Sequence, residues 1–220
     1  MSLEFKKRII TSFFLLFLLI LMYFYNYILI IGLVVISIIV WIEFYALISK
    51  IFYDENFKNK LIRVFFKISA LIYLSAIVIL ILYVKIEKPG LEILIIYSIL
   101  VAICSDLGGI TFGKIFKGKK LTKFSPNKTI SGSIGSFCFS LFLIPLLRNL
   151  IMDYNLISLV IITLLISLSS QVGDIVISSI KRKACVKDTS DLLPGHGGFL
   201  DRVDGVIFAL PVGFLLFNLF

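Results

Sequence analysis

Charged residues are scarce in this sequence, and acidic residues are the scarcer kind. Asp, Glu, Lys and Arg make up 16% of the 220 residues, with 13 acids against 22 bases and a single histidine. The hydrophobic fraction is 60% and the mean hydropathy is +1.08, whereas soluble domains are about 45–50% apolar. This composition argues against a water-soluble domain and indicates membrane spans of about 20 residues each.

Cysteine is rare as well. Cys104, Cys138 and Cys185 are far apart and form no CxxC or Cys/His pattern, so neither a zinc site nor a disulfide framework is indicated. The sequence also lacks a Walker A loop, a nucleic-acid motif, an internal repeat and a low-complexity linker. We therefore expect one membrane-embedded domain over residues 1–220, with N-terminal spans in 1–100 and the polar motifs in 101–220, and no nucleic acid as a partner.

Apolar segments predict the fold class. The segment from Ile9 to Ser49 has Glu43 as its only charge and is much longer than the apolar core of a signal peptide, which is about 7–15 residues. It therefore predicts two retained spans. The whole chain predicts an all-α integral membrane protein, a polytopic bundle of about seven transmembrane helices, at 9–24, 27–48, 64–86, 91–112, 134–152, 156–178 and 199–220.

The distribution of basic residues predicts the orientation. With a cytoplasmic N-terminus, nineteen Lys and Arg residues fall on the cytoplasmic side, and only Lys85, Lys88 and Arg148 fall on the other. This asymmetry follows the positive-inside rule and places both long polar loops in the cytoplasm. We expect a multi-pass protein of the cell membrane whose basic face attracts anionic lipid head groups and nucleotide polyphosphates.

The chain concentrates acids, glycines and its histidine in the segment KDTSDLLPGHGGFLDRVD, residues 187–204. Just upstream, Asp174, Ser178 and Lys181 recur at i, i+4 and i+7 and so share one helix face. The PGHGG turn at 194–198 is incompatible with a regular helix, because its glycines permit positive φ. Successive N–H groups in such a turn can also cradle phosphate.

After this turn, Asp201 and Asp204 stand at i and i+3 of a new helix. We expect the helix end and the helix start to bring Asp174, Asp201 and either Asp204 or Asp188 together. The cations beside them are Lys181, Arg182, Lys187 and Arg202. Carboxylates grouped with cations and a glycine-rich turn suit Mg²⁺ bridging phosphates. In phosphoryl or nucleotidyl transfer, positioning and charge neutralisation supply most of the catalysis.

A second polar loop lies at residues 104–136. Asp106 precedes Gly109 and Gly113, whose small-xxx-small spacing favours close helix contact. Six lysines follow between 114 and 128. The segment SPNKT, 125–129, then predicts a turn entering a helix, where lysine and hydroxyl donors make an anion site plausible.

At these residues the sequence resembles the phosphatidate cytidylyltransferase (CDP-diacylglycerol synthase) family. Ser178 to Asp204 fit its signature at every defined position: Ser-x-hydrophobic-Lys-Arg, four residues, Lys-Asp, then Pro-x-His-Gly-Gly, then Asp-Arg-hydrophobic-Asp. The upstream loop fits more loosely, through Asp106, Gly113-Lys114 and Ser125-Pro126-x-Lys128-Thr129 followed by Gly132.

The resemblance implies transfer of CMP from CTP to phosphatidic acid, giving CDP-diacylglycerol and pyrophosphate in phospholipid biosynthesis. It also implies Mg²⁺ or another divalent metal, a cytoplasm-facing site and a homodimer in the lipid bilayer. By analogy, Asp174 and Asp201 are the metal carboxylates. The phosphate sites are lined by Lys181, Arg182, Lys187, His196 and Arg202. The resemblance places Asp188 and Asp204 with these residues in the catalytic set. Further nucleotide or lipid contacts are expected from Ser125, Lys128, Thr129, Ser178, Gly197 and Gly198.

One departure concerns the segment after Thr129, where the family commonly has Trp-Glu-Gly and this chain has Ile130-Ser131-Gly132. Three alternatives stay open: a CTP-dependent lipid kinase of the polyprenol or phytol type, a CDP-ether-lipid synthase, and a transporter using intramembrane carboxylates. Glu43 and Glu92 lie in or near spans without a motif, and the sequence assigns them no role.

Overall fold

The computed structural model describes residues 3–88, 90–121, 128–151, 154–195 and 197–219, and for residues 3–9 and 12 the backbone only. These residues form helices and two isolated β-bridges, with no strand among them. In order, the helices are α1 (Leu3–Phe24), α2 (Asn26–Ile51), α3 (Phe57–Glu87), α4 (Glu92–Phe116), α5 (Ile130–Leu141), α6 (Leu143–Leu147), the 3-10 turn Arg148–Leu150, α7 (Leu156–Lys183) and α8 (Leu200–Leu219).

The helices confirm the predicted all-α membrane class. Five segments of the described chain are long and apolar enough to cross a membrane: Asn26–Ile51, Phe57–Glu87, Glu92–Phe116, Ile130–Leu150 and Leu156–Lys183. The apolar part of α1, Phe13–Phe24, is shorter, and α8 is not among the five. The protein is therefore a multi-pass membrane protein. The span predicted at 134–152 corresponds to Ile130–Leu150, which contains α5, α6 and the 3-10 turn; residue 152 lies outside the described residues.

The chain forms two compact units. Unit 1 comprises Met1–Leu82 and Ile180–Arg202, and unit 2 comprises Tyr83–Ser179 and Val203–Phe220. Helices α3, α7 and α8 each contribute residues to both units. The single domain expected over residues 1–220 stays a prediction.

Unit 2 has an apolar core to which α4, α7 and α8 contribute. Tyr97 on α4 is fully buried, and its ring packs edge-on against Phe217 of α8 with centroids 5.8 Å apart. Its hydroxyl lies 2.5 Å from Oγ1 of Thr163 on α7. Because the Thr163 hydroxyl donates to the carbonyl oxygen of Leu159, it accepts from Tyr97, and the buried hydroxyl pair is satisfied.

Glycines allow α4 and α5 to approach closely in unit 2. A methyl group added to Gly132 would lie 2.8 Å from the carbonyl oxygen of Gly109, and one added to Gly113 would lie 3.1 Å from Oγ1 of Thr129. This confirms the close contact predicted from the Gly109/Gly113 spacing. It also places the start of α5 directly beside α4.

In unit 1, α7 ends in a Schellman motif. The N–H of Val186 donates to the carbonyl oxygen of Lys181, and the N–H of Cys185 donates to that of Arg182. Cys185 has a φ of +56°, a conformation that glycine usually supplies at this position. The motif turns the chain out of the helix immediately after Lys181–Lys183, so the last turn of α7 presents these bases next to the polar loop.

Candidate active site

Unit 1 gathers several signature residues around the carboxylate of Asp201, in the first turn of α8. Lys181, in the last turn of α7, donates from Nζ to Oδ1 of Asp201 at 2.5 Å. Around Oδ2 lie the N–H of Thr189 at 2.8 Å, its hydroxyl at 3.0 Å and the N–H of Gly198 at 3.2 Å. We call Lys181, Thr189, Gly198 and Asp201 the Asp201 cluster. Both members of its ion pair are poorly exposed, with side-chain exposures of 14% for Lys181 and 7% for Asp201.

Opposing effects act on the pKa of the Asp201 carboxyl, which lies outside the five membrane-crossing segments. Burial raises the pKa, because an ionised carboxylate loses hydration. The hydrogen bonds from Lys181 and Thr189 and the positive charge of Lys181 lower it, and together they prevail, so the pKa lies below its ordinary value of 3.8. Asp201 is therefore ionised at neutral pH.

The glycine-rich segment forms a tight turn. Backbone hydrogen bonds join Leu193 and Gly197 in both directions, at 2.9 and 3.2 Å. Gly195 and Gly197 have φ values of +77° and +79°, so the predicted positive-φ turn is confirmed at these two residues. The N–H groups of Gly197 and Gly198 donate to Leu193 and Asp201, and their predicted phosphate contacts stay predictions. His196 lies outside the described residues.

Helix α2 contributes a second buried carboxylate to unit 1. Glu43 is 5% exposed, and each of its oxygens has two donors. Around Oε1 are the Ser190 hydroxyl at 2.5 Å and the Phe199 N–H at 3.0 Å. Around Oε2 are the Thr189 hydroxyl at 3.0 Å and the Leu200 N–H at 2.7 Å. Such donors offset the cost of removing a carboxylate from water.

Within unit 2, three charged residues form a group that we call the Asp174 cluster: Asp106, Lys128 and Asp174. Nζ of Lys128 forms an ion pair with Oδ2 of Asp174 on α7. Asp106 on α4 lies near enough to interact electrostatically with both. One turn before Asp174, Gln171 accepts a 2.5 Å hydrogen bond from the Ser133 hydroxyl of α5. The cluster is thus framed by α4, α5 and α7.

Hydrogen bonds at the start of α5 hold the backbone around Lys128 in place. Thr129 is the N-cap residue of α5, and its hydroxyl oxygen accepts the N–H of Gly132 at 3.1 Å. The carbonyl oxygen of Lys128 accepts the N–H of Leu121 at 2.7 Å. This hydrogen bond belongs to an antiparallel bridge between Lys120 and Thr129. The predicted entry into a helix is therefore confirmed at Thr129. Where the family commonly has Glu, the Ser131 hydroxyl lies 3.0 Å from that of Thr129. Ser125 lies outside the described residues.

The remaining predicted site residues divide between the units. In unit 1, Asp188 is exposed, and its Cβ would lie 3.4 Å from a methyl group on Gly197. The exposed bases of this unit are Arg182, Lys187 and Arg202. In unit 2, Ser178 is half-buried on α7. Asp204 is buried on α8, and its Oδ1 accepts the N–H of Gly205 at 2.9 Å.

The donor atoms of these clusters limit the kind of metal site. Within the described ranges, no group of three or more His, Cys, Asp or Glu side chains is placed to hold a metal. Mg²⁺ is typically held by one or two carboxylates together with phosphate oxygens and water. Asp174 and Asp201 each offer a carboxylate group, the kind of ligand that Mg²⁺ takes from proteins, and the predicted metal site stays a prediction. They belong to different units, and their shared binding of one metal stays a prediction.

The Cytidylyltransferase family model matches residues 2–220. The chain belongs to this family. Within it, the chain is similar to bacterial proteins named phosphatidate cytidylyltransferase: it is 41% identical over 121 residues to that of Staphylococcus saprophyticus, 42% to that of Staphylococcus haemolyticus and 43% to that of Staphylococcus aureus. Each alignment covers 54% of this chain and 46% of the relative, so the match spans about half the length of these curated relatives.

In this cytidylyltransferase-family protein, sequence reasoning missed the residues that hold the glycine-rich loop. The sequence assigns no role to Glu43, and it does not indicate Thr189 or Ser190 as site residues. A signal for Glu43 was present, because it is the only charge between Ile9 and Ser49 and an acid within a span is costly unless it has a partner. Its partners, however, could not be identified from the spacing of residues.

Proposed function

We propose that this protein transfers CMP from CTP to phosphatidic acid and releases pyrophosphate and CDP-diacylglycerol. The family match over residues 2–220 carries the proposal. The names of the staphylococcal relatives support phosphatidate as the acceptor. The ionised Asp201, held by Lys181 beside a glycine-rich turn, supports phosphate chemistry at the signature.

The reaction places a specific demand on the protein. A phosphate oxygen of phosphatidic acid forms a bond to the α-phosphorus of CTP, the bond from this phosphorus to the bridging oxygen breaks, and pyrophosphate leaves with the electron pair. Phosphate monoesters have a second pKa of about 6, so the acceptor is already ionised at neutral pH and no general base is required. What remains is to position highly charged groups and to neutralise them.

The chain supplies positive charge for this purpose. In the proposal, Lys181 and Lys128 bind phosphate groups, and their carboxylate partners orient the two ammonium groups. Exposed bases near the signature add to the phosphate sites, namely Arg182, Lys187 and Arg202. Roles for Ser125, Thr129, Ser178, Asp188, His196, Gly197, Gly198 and Asp204 rest on the family resemblance.

We also propose Mg²⁺ as the cofactor, with Asp174 and Asp201 as its carboxylate ligands. When bound with CTP, the ion would neutralise charge that develops on the leaving pyrophosphate. Each carboxylate forms an ion pair with a lysine in the structure. To bind a metal ion, the carboxylate must therefore either contact the lysine and the metal together or give up the lysine for the metal. Activity should therefore depend on added divalent metal.

We further propose that the active site faces the cytoplasm and that the protein is a homodimer. Lys and Arg residues are far more numerous on the side that carries the signature at 178–204 and the loop at 104–136 than on the other side. This asymmetry supports the cytoplasmic orientation. The homodimer rests on the family resemblance. Light scattering of the purified protein in detergent tests it, and a monomeric mass for the active protein would contradict it.

The first experiment incubates the purified full chain with CTP, Mg²⁺ and phosphatidic acid, and measures pyrophosphate and CDP-diacylglycerol. Both products are expected, and both should be lost with EDTA. CDP together with a newly phosphorylated lipid would instead identify a lipid kinase. Activity confined to an ether-linked phosphatidic acid analogue would identify a CDP-ether-lipid synthase. No product with any phosphorylated lipid or lipid alcohol would refute all three.

A matched pair of variants tests the role of Asp174. Asp174→Asn removes one negative charge from a lysine-paired acid of unit 2 and should lower kcat about 100-fold or more, as the loss of a transition-state-stabilising group typically does. Glu92→Gln is the control, because Glu92 also pairs with a lysine of unit 2, Lys85, at 2.6 Å. Equal activity of the two variants would refute the assignment.

A further inference from the structure

We propose that Glu43 is a positioning residue that fixes the loop at 189–198 and the start of α8, and thereby orients Asp201 for the reaction. This inference rests on the proposed function. It assigns a role in the active site to α2, a helix on which the family signature has no residue.

Four hydrogen-bond donors converge on the Glu43 carboxylate. Each oxygen of the Glu43 carboxylate is approached by one hydroxyl group and one backbone N–H. The two N–H groups, of Phe199 and Leu200, belong to the start of α8, where the first N–H groups lack partners within the helix. Glu43 therefore caps α8 from another helix, although the sequence places no Ser, Thr, Asp or Asn at position 199 to do so.

The hydroxyl group of Thr189 links Glu43 to Asp201. The hydroxyl of Thr189 lies 3.0 Å from Oε2 of Glu43 and 3.0 Å from Oδ2 of Asp201. A hydroxyl carries one proton and donates to one acceptor at a time, so the two carboxylates share this donor. The Thr189 N–H and the Gly198 N–H both donate to Asp201. The two carboxylates thus hold the same short loop from both sides.

The position of Glu43 is energetically costly in itself. Glu43 is buried in a helix that is otherwise almost entirely apolar, and a carboxylate there destabilises the fold unless its donors are well placed.

A second contact with the same loop comes from α1, where the Thr11 hydroxyl donates to the carbonyl oxygen of Pro194 at 3.1 Å. Both N-terminal helices, α1 and α2, therefore form hydrogen bonds with the loop at 189–198.

Glu43→Gln is the informative variant because of the symmetry of the contacts. Either amide orientation sets the new NH₂ group against one backbone N–H, of Phe199 or of Leu200, and a donor facing a donor cannot bond. We expect kcat to fall about 10- to 100-fold, the usual effect of losing a group that orients a ligand. The KM for CTP should change less, because no group that contacts CTP is removed. Glu43→Asp, which keeps the charge and both acceptors, should recover part of the loss.

A second readout separates positioning from general stability. Hydrogen exchange of the backbone amides between 189 and 201 should become faster in Glu43→Gln, while exchange in the core of unit 2 stays as in the wild type. Glu92→Gln is the control and should change neither kcat nor exchange in the loop. Wild-type kinetics with wild-type exchange in Glu43→Gln, or faster exchange throughout the protein, would overturn the proposal.

Ser190→Ala keeps the test decisive should Glu43→Gln not fold. It removes one of the four donors, so we expect a several-fold loss of kcat and faster exchange in the same loop; wild-type behaviour in both would count against Glu43. A wild-type protein that forms no CDP-lipid would refute the proposed function. The exchange data would then still decide whether Glu43 holds the loop.

Discussion

Removing the Lys181 ammonium group should destabilise unit 1 by an amount that depends on pH. Lys181→Met keeps most of the side chain's length and takes away the donor at 2.5 Å from Oδ1 of Asp201. The pair is largely shielded from water, with exposures of 14% and 7%, so solvent screening is weak. Breaking a buried ion pair by deleting one partner typically costs about 3–5 kcal/mol.

The expected cost is smaller here, because Asp201 keeps other donors. The N–H groups of Thr189 and Gly198 and the Thr189 hydroxyl remain around Oδ2, so the carboxylate is not left unsolvated. The loss then approaches that of one hydrogen bond to a charged group, and we expect about 2–3 kcal/mol. At about 2–4 °C per kcal/mol for a chain of this length, Tm should fall by about 4–12 °C.

The pH dependence provides the sharper test. The pKa of Asp201 is lowered in the folded protein, so its contribution to stability is present above the ordinary Asp pKa and is lost as pH falls through the folded-state value. Without Lys181 the buried carboxylate loses its counter-charge and its pKa rises. Lys181→Met is then destabilised most at neutral pH. The difference in Tm between the wild type and this variant should shrink as pH falls from 7 towards about 3.

Thermal unfolding in detergent, followed by the fluorescence of Trp41, measures this difference. Trp41 is the single tryptophan and lies in unit 1 with the ion pair. Lys183→Met is the matched control, because Lys183 is an exposed lysine in the same turn of α7. Equal shifts for the two variants, or a Lys181→Met shift that is the same at every pH, would show that the ion pair does not act as described.

Two further predictions concern packing and orientation. Gly132→Ala places a methyl group 2.8 Å from the Gly109 carbonyl oxygen and should lower the free energy of unfolding by about 1–3 kcal/mol. The control is Cys138→Ala, at an exposed position of the same helix, which should cost less than about 0.5 kcal/mol. Equal stability of the two variants would contradict the close α4–α5 contact. With Cys104 and Cys138 replaced by Ala, exposed Cys185 should react with a membrane-impermeant maleimide in inverted vesicles but not in intact cells, and the reverse result would overturn the cytoplasmic orientation.

Much of the local structure around the candidate site could be predicted, because the signature residues are contiguous in sequence. Lys181 and Asp201 are 20 residues apart, and a helix end, a glycine turn and a helix start are features that local backbone preferences encode. The positive φ values of Gly195 and Gly197 follow from the turn composition. The close approach of α4 and α5 follows from the i, i+4 spacing of Gly109 and Gly113. In each case the physical cause acts between residues that are near in sequence.

Contacts over long sequence separations could not be predicted in this way. Lys128 and Asp174 are 46 residues apart, and Glu43 and Thr189 are 146 apart. Nothing in the apolar sequence around Glu43 indicates that it faces the glycine-rich loop. Hydropathy shows that a carboxylate within a span needs partners, but it carries no information about which loop supplies them.

By itself, then, the sequence determined that this is a helical membrane protein and which contiguous residues form the signature, and its net charge predicts, through the positive-inside rule, that the basic loops face the cytoplasm. These properties depend on hydropathy, net charge and local dihedral preferences, all of which belong to short segments. Only the tertiary structure decided that Lys128 pairs with Asp174 and that α2 caps α8 through Glu43. Such partnerships arise when helices pack and buried polar groups must find donors, a requirement met by whichever groups the packing brings within hydrogen-bonding distance.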